Sequence, residues 1–371
     1  MKHITYIFQR DRYKKIVDES YESVEFFYGA TYLIKLGHKV SIIEFEPRAN
    51  RKNIILRFID KLLRKFISLP FYLSELTTIK NIKTIYKSDY LFLINESVGF
   101  SSILLLLIVK SFKRVETNLF VMGMFSKKLN YKHTNFLHSM FIKLLISLVD
   151  RILFLGEGEF NKASYEYKKY KEKFILFPWS VDNFFWNTNS KLNLEENNYI
   201  LFVGNDGNRD QELLLSIAEI FPNISFKFVT KLKKLTDCKF HNVEVIQGNW
   251  GKDYLSDSQL KEVYLKARFT ILPLKESFQP SGQSVAMQSM SLGIPVLISK
   301  TKGFWDYIQF INNENIIFIE SNEINFWVEK INKVYYDFQL LYKVSNNAKS
   351  VINQKFNIDR FNANILNIIG G

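Results

Sequence analysis

Short apolar runs alternate along the whole chain with stretches in which apolar positions recur every three or four residues, a pattern that predicts strands alternating with helices. In the first half it predicts strands at residues 4–9, 39–46, 90–94, 118–122, 151–155 and 174–177, and helices at 24–36, 101–112 and 135–148. Gly37 stands where a helix C-cap is wanted, so the first helix-to-strand turn is encoded locally. In the second half strands are predicted at 199–203, 225–229, 244–246, 269–272, 295–298 and 316–318, and helices at 211–220, 257–266, 284–292 and 323–336. Two such series imply an α/β chain of two parallel-sheet domains, each with its pocket at the carboxyl ends of its strands. The polar stretch 187–198 marks an exposed join, giving a first domain at 1–186, a second at 187–352 and a C-terminal helix at 353–371.

The loop between the strands at 269–272 and 295–298 carries the most chemistry. Its run Glu276-Ser277-Phe278-Gln279-Pro280-Ser281-Gly282-Gln283-Ser284 brings a carboxylate, amides and hydroxyls to the start of an apolar helix. Backbone N–H groups there lack partners within the helix and favour an anion such as a phosphate.

Composition narrows the picture. A hydrophobic fraction of 47% with 34 Phe and 19 Tyr excludes a disordered chain. The single cysteine, Cys238, excludes a disulfide framework and a cysteine-ligated metal site, and the 5 histidines show no metal-ligand spacing, so no metal is expected. Apolar runs fall far short of the ~20 residues of a spanning helix and the N-terminus reads as a strand, which leads us to expect a cytoplasmic protein, soluble or peripheral.

The net charge of +13 is unevenly placed: residues 51–150 hold 16 Lys plus Arg against 6 Asp plus Glu, whereas 201–371 hold 19 against 17. In the segment 51–66 the basic excess is interleaved with large apolar residues. Ile55, Ile59, Leu62 and Phe66 share one side of a helix, with Arg57, Lys61, Arg64 and Lys65 around the others and Arg51 and Lys52 just before. Such a helix reads as a contact for an anionic membrane on the inner face of the cytoplasmic membrane. The competing possibilities are an ordinary surface helix docked by its apolar side and a nucleic-acid contact; with no recognised binding motif beside the charge, no nucleic-acid partner is expected.

Three further segments carry a resemblance. Val149-Asp150-Arg151-Ile152-Leu153-Phe154 is followed by Phe177-Pro178-Trp179-Ser180-Val181-Asp182 and Phe185; Tyr199 to Gly204 leads into Asn205-Asp206-Gly207-Asn208-Arg209-Asp210; and Gln288-Ser289-Met290-Ser291-Leu292-Gly293-Ile294-Pro295-Val296 closes the loop described above. Together they resemble the GT-B glycosyltransferases, most closely the nucleotide-sugar-dependent family 4 type, and most strongly from about residue 148 onward. Ser180 stands where that family usually has Gly. Its paired glutamates, eight residues apart, are matched by Glu276 and, twelve residues on, by the amide of Gln288. A Ser-Gly-Gln variant of the loop also occurs in the wider family.

The resemblance implies a GT-B fold, two Rossmann-like domains facing across a cleft with the C-terminal helix returning to the first, and a nucleotide-diphosphate sugar as substrate with no cofactor. Without a metal, the leaving diphosphate is neutralised by Arg209, with Lys231 as a second cation and the N–H groups at Ser281, Gly282, Gln283 and Ser284. Gly204, Asn205 and Gly207 form the loop that approaches the ligand. Glu276 takes the donor sugar's hydroxyls or the positive charge at the anomeric carbon, Gln288 reaches the ribose, and Gly248 and Asn249 meet the base. On the acceptor side stand Glu96, Gly123 and the loop after Gln9. For a general base, Asp18, Glu19, Glu25, Glu96 and His133 all remain open, as do retaining and inverting outcomes. The function implied is transfer of a sugar to a lipid-linked or cell-envelope glycan in a bacterium. The alternatives are a non-catalytic GT-B scaffold of a glycan assembly complex and a nucleotide-sugar 2-epimerase.

Overall fold

The computed structural model describes residues 1–45, 54–126, 132–190, 192–247 and 255–370. The predicted alternation takes the form of two sheets of six parallel strands, flanked by helices. In the first sheet are β1 (His3–Gln9), β2 (Lys39–Phe45), β3 (Tyr90–Ile94), β4 (Glu116–Val121), β5 (Arg151–Phe154) and β6 (Phe174–Leu176), ordered β2-β1-β3-β4-β5-β6. The second holds β7 (Tyr199–Val203), β8 (Ser225–Thr230), β9 (Val243–Gln247), β10 (Ala267–Leu272), β11 (Val296–Ser299) and β12 (Ile317–Ile319), ordered β12-β11-β10-β7-β8-β9. The strands are continuous apolar runs because helices cover both faces of a parallel sheet. Leu91, Phe92 and Leu93 are wholly buried, as are Ile200, Leu201, Ile271 and Leu272.

The chain divides into two compact units, Met1–Tyr21 with Phe27–Phe177 and Ile365–Gly371, and Glu22–Phe26 with Pro178–Asn364. The join thus lies before Pro178 and not at 187, because Val181 and Trp186 are wholly buried in the second unit and Trp186 meets Tyr264 edge-on, ring centres 5.9 Å apart. Residues 353–371 are not one element: helix Phe338–Lys355 ends at Phe356, and helix Ile358–Ile369 follows. Of that tail, Ile365–Gly371 belongs to the first unit, where Arg151 donates to the carbonyl of Ile368 (3.4 Å) and Lys2 to those of Ile369 and Gly370.

The helix predicted at 24–36 is interrupted. Glu25–Phe27 form a 3₁₀ turn, Tyr28 and Gly29 take positive φ (53° and 82°), and the helix begins at Ala30. At that conformation Gly29 is favoured, and a Cβ there would stand 3.0 Å from Ile365 Cγ1. Likewise the helix predicted at 101–112 starts earlier, at Glu96 behind an Asn95 cap, and is split at Ser102.

The basic segment forms helix Ile54–Ile67 in the first unit, but its docked side is not the one with the most apolar residues. Asp60 and Ile67 are buried, whereas Ile55 is 74% exposed, Phe58 61% and Phe66 55%. Asp60 turns inward because it accepts from the backbone N–H of Leu73 (2.7 Å) and of Ser74 (3.1 Å) and from the Ser74 hydroxyl (2.7 Å). Substituting Asp60→Ala strands those three donors, and urea unfolding is expected to show a loss of about 2–4 kcal/mol. Asp60→Asn, which keeps an acceptor, should lose clearly less. Among the described residues no helix is long and apolar enough to cross a membrane.

Candidate functional site

In the second unit, the loops leaving the carboxyl ends of β7, β8 and β10 are stitched together by hydrogen bonds. The backbone N–H of Lys275 donates to the carbonyl of Asn208 (2.8 Å) and that of Asp210 to Pro273 (3.0 Å). Asn208 Nδ2 donates to Gln279 Oε1 (2.9 Å) and to Ser281 Oγ (2.8 Å). Asn205 Oδ1 accepts from the N–H of Lys231 (2.6 Å), so the loop after β8 is tied in as well.

Arg209 lies inside this frame, 3% exposed. Its Nη2 pairs with Asp206 Oδ2 at 3.2 Å, while Nε and Nη1 find no hydrogen-bond partner among the described residues. Two glycines make room for it. A Cβ at Gly204 would collide with Arg209 Nε, and one at Gly282, whose φ is +79°, would stand 2.9 Å from Nη1. Gly282 is also the N-cap of helix Gln283–Ser291, so the unpartnered guanidinium nitrogens lie beside the N-terminus of a helix. Burial pulls the guanidinium's pKa down while Asp206 opposes the shift, and arginine keeps its proton. A buried cation short of partners is costly until an anion completes it.

The other residues expected at this site fare differently. Glu276 is exposed and accepts the N–H of Lys302 (3.0 Å), joining the loops after β10 and β11. Lys231 is exposed at the end of β8, Ser281 and Gln283 are buried, and Ser284 is half-buried. Gly207 has nothing within 4 Å of where a Cβ would be and a φ outside the left-handed region, so neither crowding nor conformation demands glycine there. The expectation for Gln288 needs correction. It is wholly buried, its Nε2 donating to Glu25 Oε1 (3.0 Å) and its Oε1 accepting from Tyr264 (3.5 Å), so its amide is engaged inside the unit and not held open for a ribose. Gly248 and Asn249 lie outside the described residues.

Residues 185–351 match the family model for glycosyl transferases group 1. The chain carries a group 1 glycosyltransferase domain. The GT-B fold is shared with sucrose-phosphate synthase (tll1590) from Thermosynechococcus elongatus, at a TM-score of 0.71 and 12% identity over 100% of this chain and 98% of that one. It is shared too with Anabaena Alr3699/HepE in complex with UDP and glucose (0.66, 12%, 100% of each chain). A third similar structure is an alpha-glucosyltransferase in complex with UDP-glucose and DNA containing an abasic site (0.62, 12%, 100% of each chain). No curated protein matches the chain in sequence.

In the first unit of this glycosyltransferase, two carboxylates hold the loop that leaves β4. Glu96 Oε2 accepts from the N–H of Met122 (3.2 Å). Glu159, 1% exposed, accepts from Gly123 (3.0 and 2.9 Å) and from Phe125 (2.9 Å). Gly123 has φ 121°, a conformation that favours glycine, so its place in the loop is set by backbone shape. Burial pushes the Glu159 carboxyl up to about 8 against the pull of its N–H donors, with Glu96 adding to the rise.

Glu159 escaped the sequence analysis; the available signal was the run Gly156-Glu157-Gly158-Glu159 directly after a strand, at the start of helix Glu157–Glu166. Glu25, one of five candidate bases, sits 1% exposed in the second unit, accepting from Trp186 Nε1 (2.7 Å) and Gln288 Nε2 (3.0 Å). Burial pushes it up to about 7, and its Oε2 has no partner among the described residues. Asp18 and Glu19 are exposed beyond the short helix Tyr13–Val17, and the side chain of His133 lies outside the described structure. Among the described residues no three His, Cys, Asp or Glu are grouped so as to hold a metal ion.

Proposed function

We propose that this glycosyltransferase moves a sugar from a nucleoside diphosphate donor to a lipid-linked or cell-envelope glycan at the cytoplasmic face of a bacterial membrane, without a metal. The observation that carries this is the buried Arg209, with Nε and Nη1 open beside the N-terminus of helix Gln283–Ser291. As the anomeric C–O bond breaks, negative charge grows on the leaving diphosphate. A guanidinium and helix N–H groups held rigidly in a water-poor site stabilise that charge without reorganising. Glu276 and Lys231 flank the same frame and take the donor's sugar and outer phosphate. UDP and UDP-glucose in the similar structures favour a uridine donor.

Thermal shifts with uridine, guanosine and cytidine diphosphate sugars test the donor, since a ligand in excess of its dissociation constant raises stability by RT ln(1 + [L]/Kd). Repeating them in EDTA tests metal independence: unchanged shifts and turnover are expected, and a loss restored by a divalent cation would refute it. Incubation with the nucleotide sugar alone should yield no epimer, which separates the transferase from a 2-epimerase. Binding of donor without transfer to any acceptor would mark a scaffold.

The membrane part is supported by helix Ile54–Ile67, which leaves Ile54, Ile55, Phe58 and Phe66 in solvent beside Arg57, Lys61 and Lys65. Arg51 and Lys52 lie outside the described residues. Vesicles containing anionic lipid are expected to retain the protein at low salt and to release it as salt rises, whereas neutral vesicles retain less. The DNA in one similar structure makes nucleic acid the acceptor to eliminate. A gel-shift titration with duplex DNA is expected to show no more than salt-sensitive, sequence-indifferent binding.

A further inference from the structure

Resting on that membrane-facing assignment of helix Ile54–Ile67, we infer that the pocket along its basic flank seats the phosphodiester of an anionic glycerophospholipid headgroup. The pocket has a volume of about 350 Å³, within the range of small-ligand sites. Arg57, Lys61 and Arg64 line it from the helix and Tyr72 from the segment that follows, while Ile54 and Phe58 also border it.

At 100° per residue the helix divides lengthwise into three stripes. Leu56, Asp60, Leu63 and Ile67 form the docked stripe, and Ile55, Ile59, Leu62 and Phe66 the stripe open to solvent. Arg57, Lys61 and Arg64 lie between the docked stripe and the exposed Ile54 and Phe58. A helix laid in the plane of a bilayer with the exposed Ile54 and Phe58 at acyl-chain level would hold the adjacent basic stripe, and the pocket beside it, at the level of the phosphates.

Charge and preorganisation select the ligand. Among the described residues three cations line the pocket against two carboxylates, Asp60 and Glu75, a surplus of positive charge that favours an anion such as a phosphodiester. Asp60 already accepts from the Leu73 and Ser74 donors, so part of its negative charge is offset within the fold. Arg64 is held in place: Nη1 donates to the carbonyl of Phe71 (2.5 Å) and the guanidinium lies 4.6 Å from the centre of the Tyr72 ring. A guanidinium fixed in this way loses little freedom when it takes up a phosphate oxygen.

The test uses the full chain, soluble glycerophosphoglycerol, and two vesicle types of equal charge density, one bearing phosphatidylglycerol and the other a fatty-acid carboxylate. Saturable binding of glycerophosphoglycerol is expected by calorimetry, weakened at least tenfold in Arg57→Ala/Lys61→Ala. Both positions are exposed, so the fold should tolerate the change. Lys65→Ala, on the same helix but away from the pocket, should leave that binding unchanged while lowering vesicle retention about fivefold, the factor corresponding to one basic residue near an anionic leaflet. Retention on phosphatidylglycerol should exceed that on carboxylate vesicles. Equal retention on the two, or soluble binding that is absent or indifferent to Arg57→Ala/Lys61→Ala, overturns the pocket and leaves the membrane-facing helix standing. Failure to bind either anionic vesicle overturns that helix assignment itself.

Discussion

Arg209→Met is expected to lower kcat/KM by about 10²–10³-fold, the usual cost of removing one preorganised donor to a developing negative charge. The apo protein should not be destabilised in proportion. Arg209 is buried with two of its nitrogens unpartnered, so a methionine of similar length removes an expensive charge and leaves a packable chain. Loss of turnover with equal or higher thermal stability is the signature to look for. A variant that unfolds would instead mean that Arg209 is a structural brace, and the functional assignment of this loop would fall with it. Gly282→Ala tightens the test, since its Cβ would crowd Nη1 at 2.9 Å and strain a φ of +79°. Its cost in activity should be large in the native background and small beside Arg209→Met, a non-additivity that a double-mutant cycle reads directly.

The second large effect is a pH dependence of stability. Burial raises Glu25 from 4.5 to about 7, so the folded chain keeps a proton that the unfolded chain has already released. Stability from this group is therefore complete below pH 4.5, declines as pH rises through 7 and is then level, a loss on the order of 3 kcal/mol at 1.36 kcal/mol per unit. Glu159, raised to about 8, extends the same decline upward by a further unit. Glu25→Gln keeps an oxygen for Trp186 Nε1 and Gln288 Nε2 and cannot ionise. Its stability relative to the native protein should grow steadily between pH 4.5 and 7. A difference that stays flat across that interval would show that Glu25 is not held as an acid in the folded state.

The sheets were legible because a buried parallel strand is an apolar run, and all twelve strands fall within two residues of the predicted limits. Helix ends proved harder where distant residues decide them. In the helix predicted at 24–36 the break falls at Gly29, a local signal outweighed by the apolar periodicity around it, and the 3₁₀ turn before it carries Glu25, whose partners Trp186 and Gln288 lie far along the chain. The Gly-Asn-Asp-Gly run and the Ser-Gly-Gln loop pointed to Arg209 and Gly282, because glycine beside a cation at a helix start is a local signal. Gln288 misled for the opposite reason: one turn beyond Ser284 it looks solvent-facing, and only the strand-covered side of the helix, with Tyr264 and Glu25 behind it, turns the amide inward. For helix Ile54–Ile67 the periodicity located the element but not its docked side, which is chosen by the backbone donors that Asp60 must satisfy.

The five residues Glu22–Phe26 bear on how this protein can be cut. Ser23 donates to Asp257 (2.8 Å), Glu22 accepts from Ser258 (2.7 Å), and the N–H of Val24 donates to Asp182 (3.1 Å). A recombinant fragment starting at Pro178 would lack all of these as well as the acceptor for Trp186 and Gln288, and should express as a sticky, poorly cooperative species. Adding a synthetic peptide that spans Glu22–Phe26 should restore a sharp melting transition, making the second unit a natural two-piece complementation system.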